Sequence, residues 1–428
     1  MPGSAAPPRP AAPWPLPEGV PAWVLRILAG RALRGFADGY VAVLLPAYLL
    51  ALGLSPLDVG LVSTATLAGS AVATLALGAA GNRLGRRALL MGAALLMAAT
   101  GAGFAGFSAF WPLIVVAFVG TLNPSSGDVS IFLPIEQAEL AGAAGGVEAR
   151  TALFARYSLA GSLSAAVGAL AAAIPAWLAA RGIVDLTGAL RLMFLAYGGI
   201  GLLVALLYRA IEDVAPDAQV ARVPLGPSRH VVLRLAALFC VDSFASGLLV
   251  NALLATWLYQ RFGLGLASAG RFFFWSGLLT TASQLLAPRC ARRFGLLNTM
   301  VFTHIPASLF LIAAALSPSL PLALGLLLAR SALSSMDVPA RNAFVMAVVT
   351  PAERIAAASF TAVPKSLAAA AGPSLGGALM ASGMLAAPLL ACGALKIFYD
   401  LSLLVAFRRH RMHPGADDAV RGISRGVP

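Results

Sequence analysis

Charge is scarce in this 428-residue chain: 11% of its residues are Asp, Glu, Lys or Arg, where a soluble domain carries about 25%. The same chain is 59% hydrophobic, more than a water-facing surface can cover, which excludes a soluble enzyme or a soluble nucleic-acid-binding domain. Cysteine is almost missing. Cys240, Cys290 and Cys392 are scattered, so neither a disulfide framework nor a metal site is implied. Histidine is equally sparse. His230, His304, His410 and His413 form no HExxH or other ligand cluster, which argues against a membrane-embedded metalloenzyme. No GxxxxGK[ST] phosphate loop occurs, so no ATP-driven step is expected. Neither a cofactor nor a metal is expected. The N-terminal stretch MPGSAAPPRPAAPWPLPEG is proline-rich without an apolar core, unlike a cleavable signal peptide.

What the chain has instead is apolar sequence in long continuous runs, with a mean hydropathy of +0.86. Continuous runs, rather than the alternation of a transmembrane barrel, predict an all-α membrane protein. Twelve spans are expected, at about 29–53, 57–80, 88–109, 111–137, 151–179, 188–209, 232–260, 268–288, 298–316, 319–348, 356–383 and 385–407. The longest internal connection, 211–231, is rich in proline and charge and reads as a linker. The expected organisation is a disordered cytosolic tail (1–21), a six-helix bundle (22–210), the cytosolic linker (211–231), a second six-helix bundle (232–407) and a cytosolic tail (408–428). The net charge of +13 comes mainly from arginines in alternate loops, including Arg83, Arg86, Arg87, Arg150, Arg209, Arg222, Arg289, Arg292 and Arg293. That asymmetry places both termini in the cytosol and needs no anionic polymer to explain it.

The halves resemble one another. SSGDV with Asp128 recurs as SSMDV with Asp337, GNRLGRR as ARRFG, FADG with Asp38 as CVDS with Asp242, and YSL at 157–159 as KSL at 365–367. The four matches keep their order at an offset of about 210 residues, as duplication of a six-span unit produces.

The stretch GAAGNRLGRR, through Gly78, Asn82, Arg83, Gly85, Arg86 and Arg87, resembles the loop between the second and third helices of the major facilitator superfamily. Asn82 stands where that family usually has an acidic residue. PRCARRFG at 288–295 is a degraded copy. The resemblance implies two pseudo-symmetric six-helix bundles that work by alternating access, usually as a monomer, with the loop stabilising one conformation. Gly85 is expected to permit a tight turn, and the arginines to anchor the loop. GPSLGG, with Gly372, Pro373, Gly376 and Gly377, resembles the helix-kink motif of the family's antiporters, displaced from the fifth span to the eleventh. Helix packing explains it equally well.

Ionisable side chains in mid-span are expensive and therefore point to function. Asp38 and Arg34 lie four residues apart on one helix face, as do Asp337 and Arg341. Each pair reads as a coupling site or a permanent ion pair. Asp128 lies in a fourth span that Pro124, Gly127 and Pro134 should disturb. Arg156 in the fifth span is a partner for Asp128 or Glu136, or a cavity residue, while Glu136 near a span end reads as interfacial. Asp242 in the seventh span and Lys365 in the eleventh complete the set; Lys365 reads as a substrate cation or as one that snorkels. His304 reads as a proton relay or, more readily, as a packed core residue. Tyr40, Tyr48, Phe132, Trp257 and Trp275 read as packing or interfacial aromatics.

The function expected is secondary active transport, proton-coupled because mid-span carboxylates are present, with efflux of a small amphipathic or toxic compound from a bacterial inner membrane favoured through likeness to exporter-like members. Uptake of a small metabolite, or export of a metalloid compound, is the alternative. The expected partners are the substrate, protons and the lipid bilayer. A receptor or scaffold would need large soluble loops, which the sequence does not contain.

Overall fold

The computed structural model describes residues 16, 20–80, 85–125, 131–144, 146–211, 226, 228–350 and 353–408. Most of both expected tails and of the 211–231 linker lies outside them. Every regular element among the described residues is helical: α1 Val24–Ala51, α2 Pro56–Ala80, α3 Arg86–Gly106, α4 Phe110–Val119, α5 Phe132–Ala143, α6 Val147–Leu170, α7 Ile174–Ala180, α8 Leu186–Arg209, α9 Arg229–Gly247, α10 Asn251–Phe262, α11 Leu266–Phe294, α12 Leu296–Ala315, α13 Leu320–Leu333, α14 Asp337–Val348, α15 Arg354–Ala381 and α16 Ala387–Phe407. Nine helical stretches among them are long and apolar enough to cross a membrane. Large apolar side chains such as Trp111, Val405 and Phe302 are exposed on the outer surface, which lipid would cover.

Three expected spans are interrupted. The run 111–137 is divided between α4 and α5, where Gly120 and Pro124 stop the first helix. The run 232–260 breaks between α9 and α10 at Leu248–Val250, and 319–348 breaks at Ser334–Met336 between α13 and α14. Breaks at this depth free backbone groups that need partners inside the protein. One is supplied across the chain: the amide of Ala252, opening α10, donates to the carbonyl of Pro124 at 3.0 Å.

Lipid offers no hydrophobic drive for helices to associate, so close contact between small residues takes its place. A β-carbon on Gly35 or Gly39 of α1 would collide with the α6 backbone at Gly161 or Ala165. Small-residue seams also join α3 to α8 through Gly101 and Gly198, and α9 to α15 through Gly247 and Gly372. Ser63, Thr66 and Thr256 satisfy their buried hydroxyls by donating to the carbonyl four residues back. Ser55 and Asp58 cap α2 reciprocally, Ser55 N–H to the Asp58 carboxylate at 2.8 Å and Asp58 N–H to Ser55 Oγ at 3.3 Å.

The N-terminal helices α1–α8 meet the C-terminal helices α9–α16 mainly at the end away from the termini. There Gly60 of α2 seats against Pro373 and Gly377 of α15, and Gly270 of α11 against Ala169 of the α6 end. Tyr259 of α10 donates to the Val43 carbonyl at 2.8 Å, and Asn251 to the Ser125 carbonyl at 2.9 Å. Toward the termini, α2, α5 and α15 diverge around an apolar cleft of about 240 Å³ lined by Ser70, Thr74, Leu133, Gln137 and Ser366.

The GPSLGG motif is thereby accounted for by packing: Gly372 and Gly376 admit α9 at Gly247–Leu248, and Gly377 admits α2. Gly85 corrects the expectation of a glycine-dependent turn. Its φ of −58° is open to any residue. The conformation that needs glycine occurs at its repeat equivalent Gly295, with φ +86°, the sole residue between α11 and α12. Asn82 and Arg83 lie outside the described residues, and Gly78 is in the last turn of α2.

Candidate substrate and coupling site

Two buried polar clusters stand out, one among the N-terminal helices and one among the C-terminal helices. In the first, Glu136 of α5 is fully buried, not interfacial as its position near a span end implied. Arg34 of α1 donates to one carboxylate oxygen, Tyr157 of α6 to the same oxygen, and Tyr208 of α8 to the other. The Arg34 guanidinium also lies 3.9 Å over the Phe132 ring. Four helices are thus tied to one carboxylate. Asp38, one turn further along α1, is buried beside Arg34, Arg31 and Asn123. Arg86 at the start of α3 pairs with Glu139 of α5 at 3.6 Å, so one arginine of the loop motif does hold a neighbouring helix. Asp128 lies outside the described residues. Arg156 is half-buried on α6, next to Tyr157.

The second cluster is built differently. Asp242 of α9 receives Lys396 of α16 at 2.8 Å on one oxygen and Arg341 of α14 at 2.8 Å on the other. Arg341 also reaches Asp337 at 3.5 Å, the four-residue pairing read from sequence. Lys396 donates further to Ser246 at 2.8 Å, and its Nζ lies 3.4 Å from His304 Nε2. Nδ1 of His304 lies 3.0 Å from Asp400. A proton on Nδ1 serves that carboxylate and leaves Nε2 to accept from Lys396, which selects the tautomer. Asp400, His304, Lys396, Asp242, Arg341 and Asp337 therefore form one continuous chain of polar contacts at mid-helix depth.

All of this chain except the fully buried Asp400 lines a polar cavity of about 190 Å³, together with Arg330 of α13, Ser308 of α12 and Ser334 and Ser335 at the α13–α14 break. The break matters for the site, because it lets Arg330 and Asp337 face one space from two half-helices. Lys365 of α15 is half-buried within electrostatic reach of Arg341, Asp242 and Asp337.

The structure thus brings Asp242, Asp337 and Arg341 of the sequence-selected residues into one cavity lining, leaves Lys365 outside that lining, and places Asp38 and Arg34 elsewhere. Three members had not been selected. His304 is hydrogen-bonded rather than merely packed. Lys396 and Asp400 lie four apart in KIFYD, a charge pair in an apolar run that carried the same signal as Asp337 and Arg341. Among the aromatics, Tyr40, Tyr48 and Trp257 are core residues, while Trp275 is exposed.

Comparison with known proteins bears on the whole chain. The sequence pattern of the Major Facilitator Superfamily matches residues 27–330. A membrane protein of Saccharomyces cerevisiae, itself uncharacterized, is 26% identical over 411 residues, covering 88% of this chain and 92% of the yeast protein. The crystal structure of the nucleoside transporter NupG superposes with a TM-score of 0.70 at 14% identity, covering 91% of this chain and all of that one. That of a D-xylose–proton symporter does so with a TM-score of 0.64 at 16% identity, covering 89% and 97%.

Proposed function

The chain belongs to the major facilitator superfamily and is a multi-pass membrane transporter rather than an enzyme; from that premise we propose that it is a proton-coupled secondary transporter with its substrate and coupling groups in the cavity among α9, α12, α14 and α16. The observation that carries the reading is the unbroken chain of contacts from Asp400 to Asp337 around that cavity. A proton delivered to Asp242 would cancel the charge that holds both Lys396 and Arg341. Lys396 would then lose its carboxylate partner and Arg341 would keep only Asp337, a change large enough to bias two conformations. His304, between Lys396 and Asp400, offers the adjacent relay position.

In the same proposal the divided runs count as single discontinuous crossings, α4 with α5, α9 with α10 and α13 with α14. That gives twelve crossings in two six-helix bundles, with both termini on one side. Arg83, Arg86, Arg87, Arg209, Arg222, Arg229 and Arg354, in or beside the connections between α2 and α3, α8 and α9, and α14 and α15, belong to that side, which the charge asymmetry assigns to the cytosol. The cleft between α2, α5 and α15 then faces the cytosol and the seams at Gly60 and Gly270 close the opposite side, an inward-facing state of a monomer. Asp38, Arg34 and Arg156 serve as the N-terminal wall of the pathway, and the motif at residues 78–87 favours one state. Export of a small amphipathic or toxic compound from a bacterial inner membrane remains the favoured direction, on the resemblance read from the sequence to exporter-like members of the family. One structural neighbour is a D-xylose–proton symporter, which keeps uptake as the second reading.

The test is a toxicity and accumulation panel in an efflux-deficient bacterial host, covering lipophilic cations, organic acids, neutral antibiotics and metalloid compounds. Resistance to one class that vanishes in Asp242→Asn at equal membrane expression supports proton-linked export. Added sensitivity or accumulation that vanishes in the same variant assigns uptake. Any flux that Asp242→Asn leaves unchanged overturns the coupling site.

A further inference from the structure

The charges around the C-terminal cavity do not balance. Asp242 is engaged by Lys396 and Arg341, Asp337 by Arg341, and Asp400 by His304. Those contacts occupy all three carboxylates. Arg330 and Lys365 are left over: among the described residues, no carboxylate lies within ion-pair distance of either. Arg330 nevertheless lines the cavity at the end of the half-helix α13, and Lys365 sits within electrostatic reach of the same acidic residues. An uncompensated cation at mid-membrane depth is costly unless something anionic visits it. The cavity also offers neutral hydroxyls, from Ser246, Ser334 and Ser335, which add donors without adding charge, whereas the Ser308 hydroxyl is spent on the His304 carbonyl.

We infer that the cavity binds a small organic anion, with Arg330 engaging its carboxylate or phosphate group and Lys365 closing over the same charge. A guanidinium presents paired N–H donors in the geometry of a planar or tetrahedral oxyanion, whereas an ammonium acts as a point charge. That division assigns orientation to Arg330 and additional attraction to Lys365. The inference rests on the transporter reading for its biological meaning, but the charge selectivity of the cavity can be measured without any transport.

The experiment uses the full chain in proteoliposomes, with Cys240, Cys290 and Cys392 replaced by Ala and a reporter thiol introduced by Ser335→Cys. Labelling rates are compared for the anionic sulfonatoethyl and the cationic trimethylammonioethyl methanethiosulfonate reagents, each normalised to a free thiol. The expected result is a preference for the anionic reagent of roughly tenfold, as a positively lined cleft produces. The preference should fall severalfold in Arg330→Gln and again in Lys365→Gln, and survive in Arg330→Lys, which keeps the charge and controls for misfolding. Benzoate and inorganic phosphate added as competitors identify which oxyanion geometry the site takes, by which of them slows labelling. Equal rates for the two reagents, a preference for the cation, no labelling by either, or a preference that survives both Gln variants would overturn the inference. An anion preference in a chain that moves no substrate in the host panel would leave the cavity assignment standing and sink the transporter reading instead.

Discussion

The two buried clusters contain similar side chains and behave as opposites. Around Glu136 the donors come from three other helices, the carboxylate has no exposure, and both oxygens are occupied by Arg34, Tyr157 and Tyr208. Nothing there is left to exchange partners, so the cluster fastens α1, α5, α6 and α8 together. Around Asp242 the donors share a cavity with water-sized space, and the lysine and histidine touch several partners at near-equal distances. A group with alternatives can switch. The contrast teaches that burial of charge alone does not mark a working site; an adjacent void and competing partners do.

The largest effect should come from breaking the fastening. Glu136→Ala leaves Arg34 buried without its carboxylate, a loss of about 3–5 kcal/mol, read as a collapse of the thermal unfolding temperature in detergent. If the variant unfolds like the wild type, the cluster is not a fastening and the comparison fails. Asp242→Asn is expected to do the reverse, folding and inserting normally while abolishing uphill flux. Next comes the seam that closes the far end. A side chain in Gly60→Leu would strike the Pro373 carbonyl and the Gly377 backbone, so turnover should slow, and a cysteine pair placed across α2 and α15 should cross-link less. Tyr208→Phe removes one donor from Glu136 and should cost about 1–2 kcal/mol with flux intact at permissive temperature.

The smallest effect concerns Glu353, outside the membrane helices. Its carboxyl accepts from Thr350 Oγ1 at 2.6 Å and from the amides of Gly226 and Ser228. These hydrogen bonds, led by Ser228 and Thr350, hold its pKa down to about 2. A depressed carboxylate pKa adds stability that is complete above the unfolded value, about 4.3, and lost as pH falls toward 2. Amide exchange at Gly226 and Ser228 should therefore accelerate between pH 4.5 and 2 relative to Glu353→Gln, which removes the acid dependence.

Much of this was legible in the sequence. Long apolar runs identify the membrane, and Pro124 marks the break after α4 because proline cannot continue a helical ladder. Asp242, Asp337, Arg341 and Lys365 announce themselves as mid-span charges. Lys396 and Asp400 carried the same mid-span signal and were passed over, while His304, a lone histidine, gains its partners only through the crossing of α9, α12 and α16. Glu136 was misplaced because position in a run measures depth along the helix and says nothing about which face carries the side chain. The Gly85 turn failed because the repeat copies diverge in backbone geometry, with the positive φ present only at Gly295.

That glycine has a mechanical consequence. One residue joins α11, of 29 residues, to α12, of 20, so the connection has no slack, and neither rod can tilt far without dragging the other. Helix α11 bears on α6 through Gly270 and Gly277, and α12 carries His304. At 1.5 Å per residue the shorter rod is about 30 Å long, so an angular change at the seam becomes a displacement of the imidazole relative to Asp400 and Lys396. The pair acts as a tuning fork with one tine on the α6 boundary and the other at the Asp242 cavity, and lengthening its stem by inserting glycines would uncouple the two without touching either.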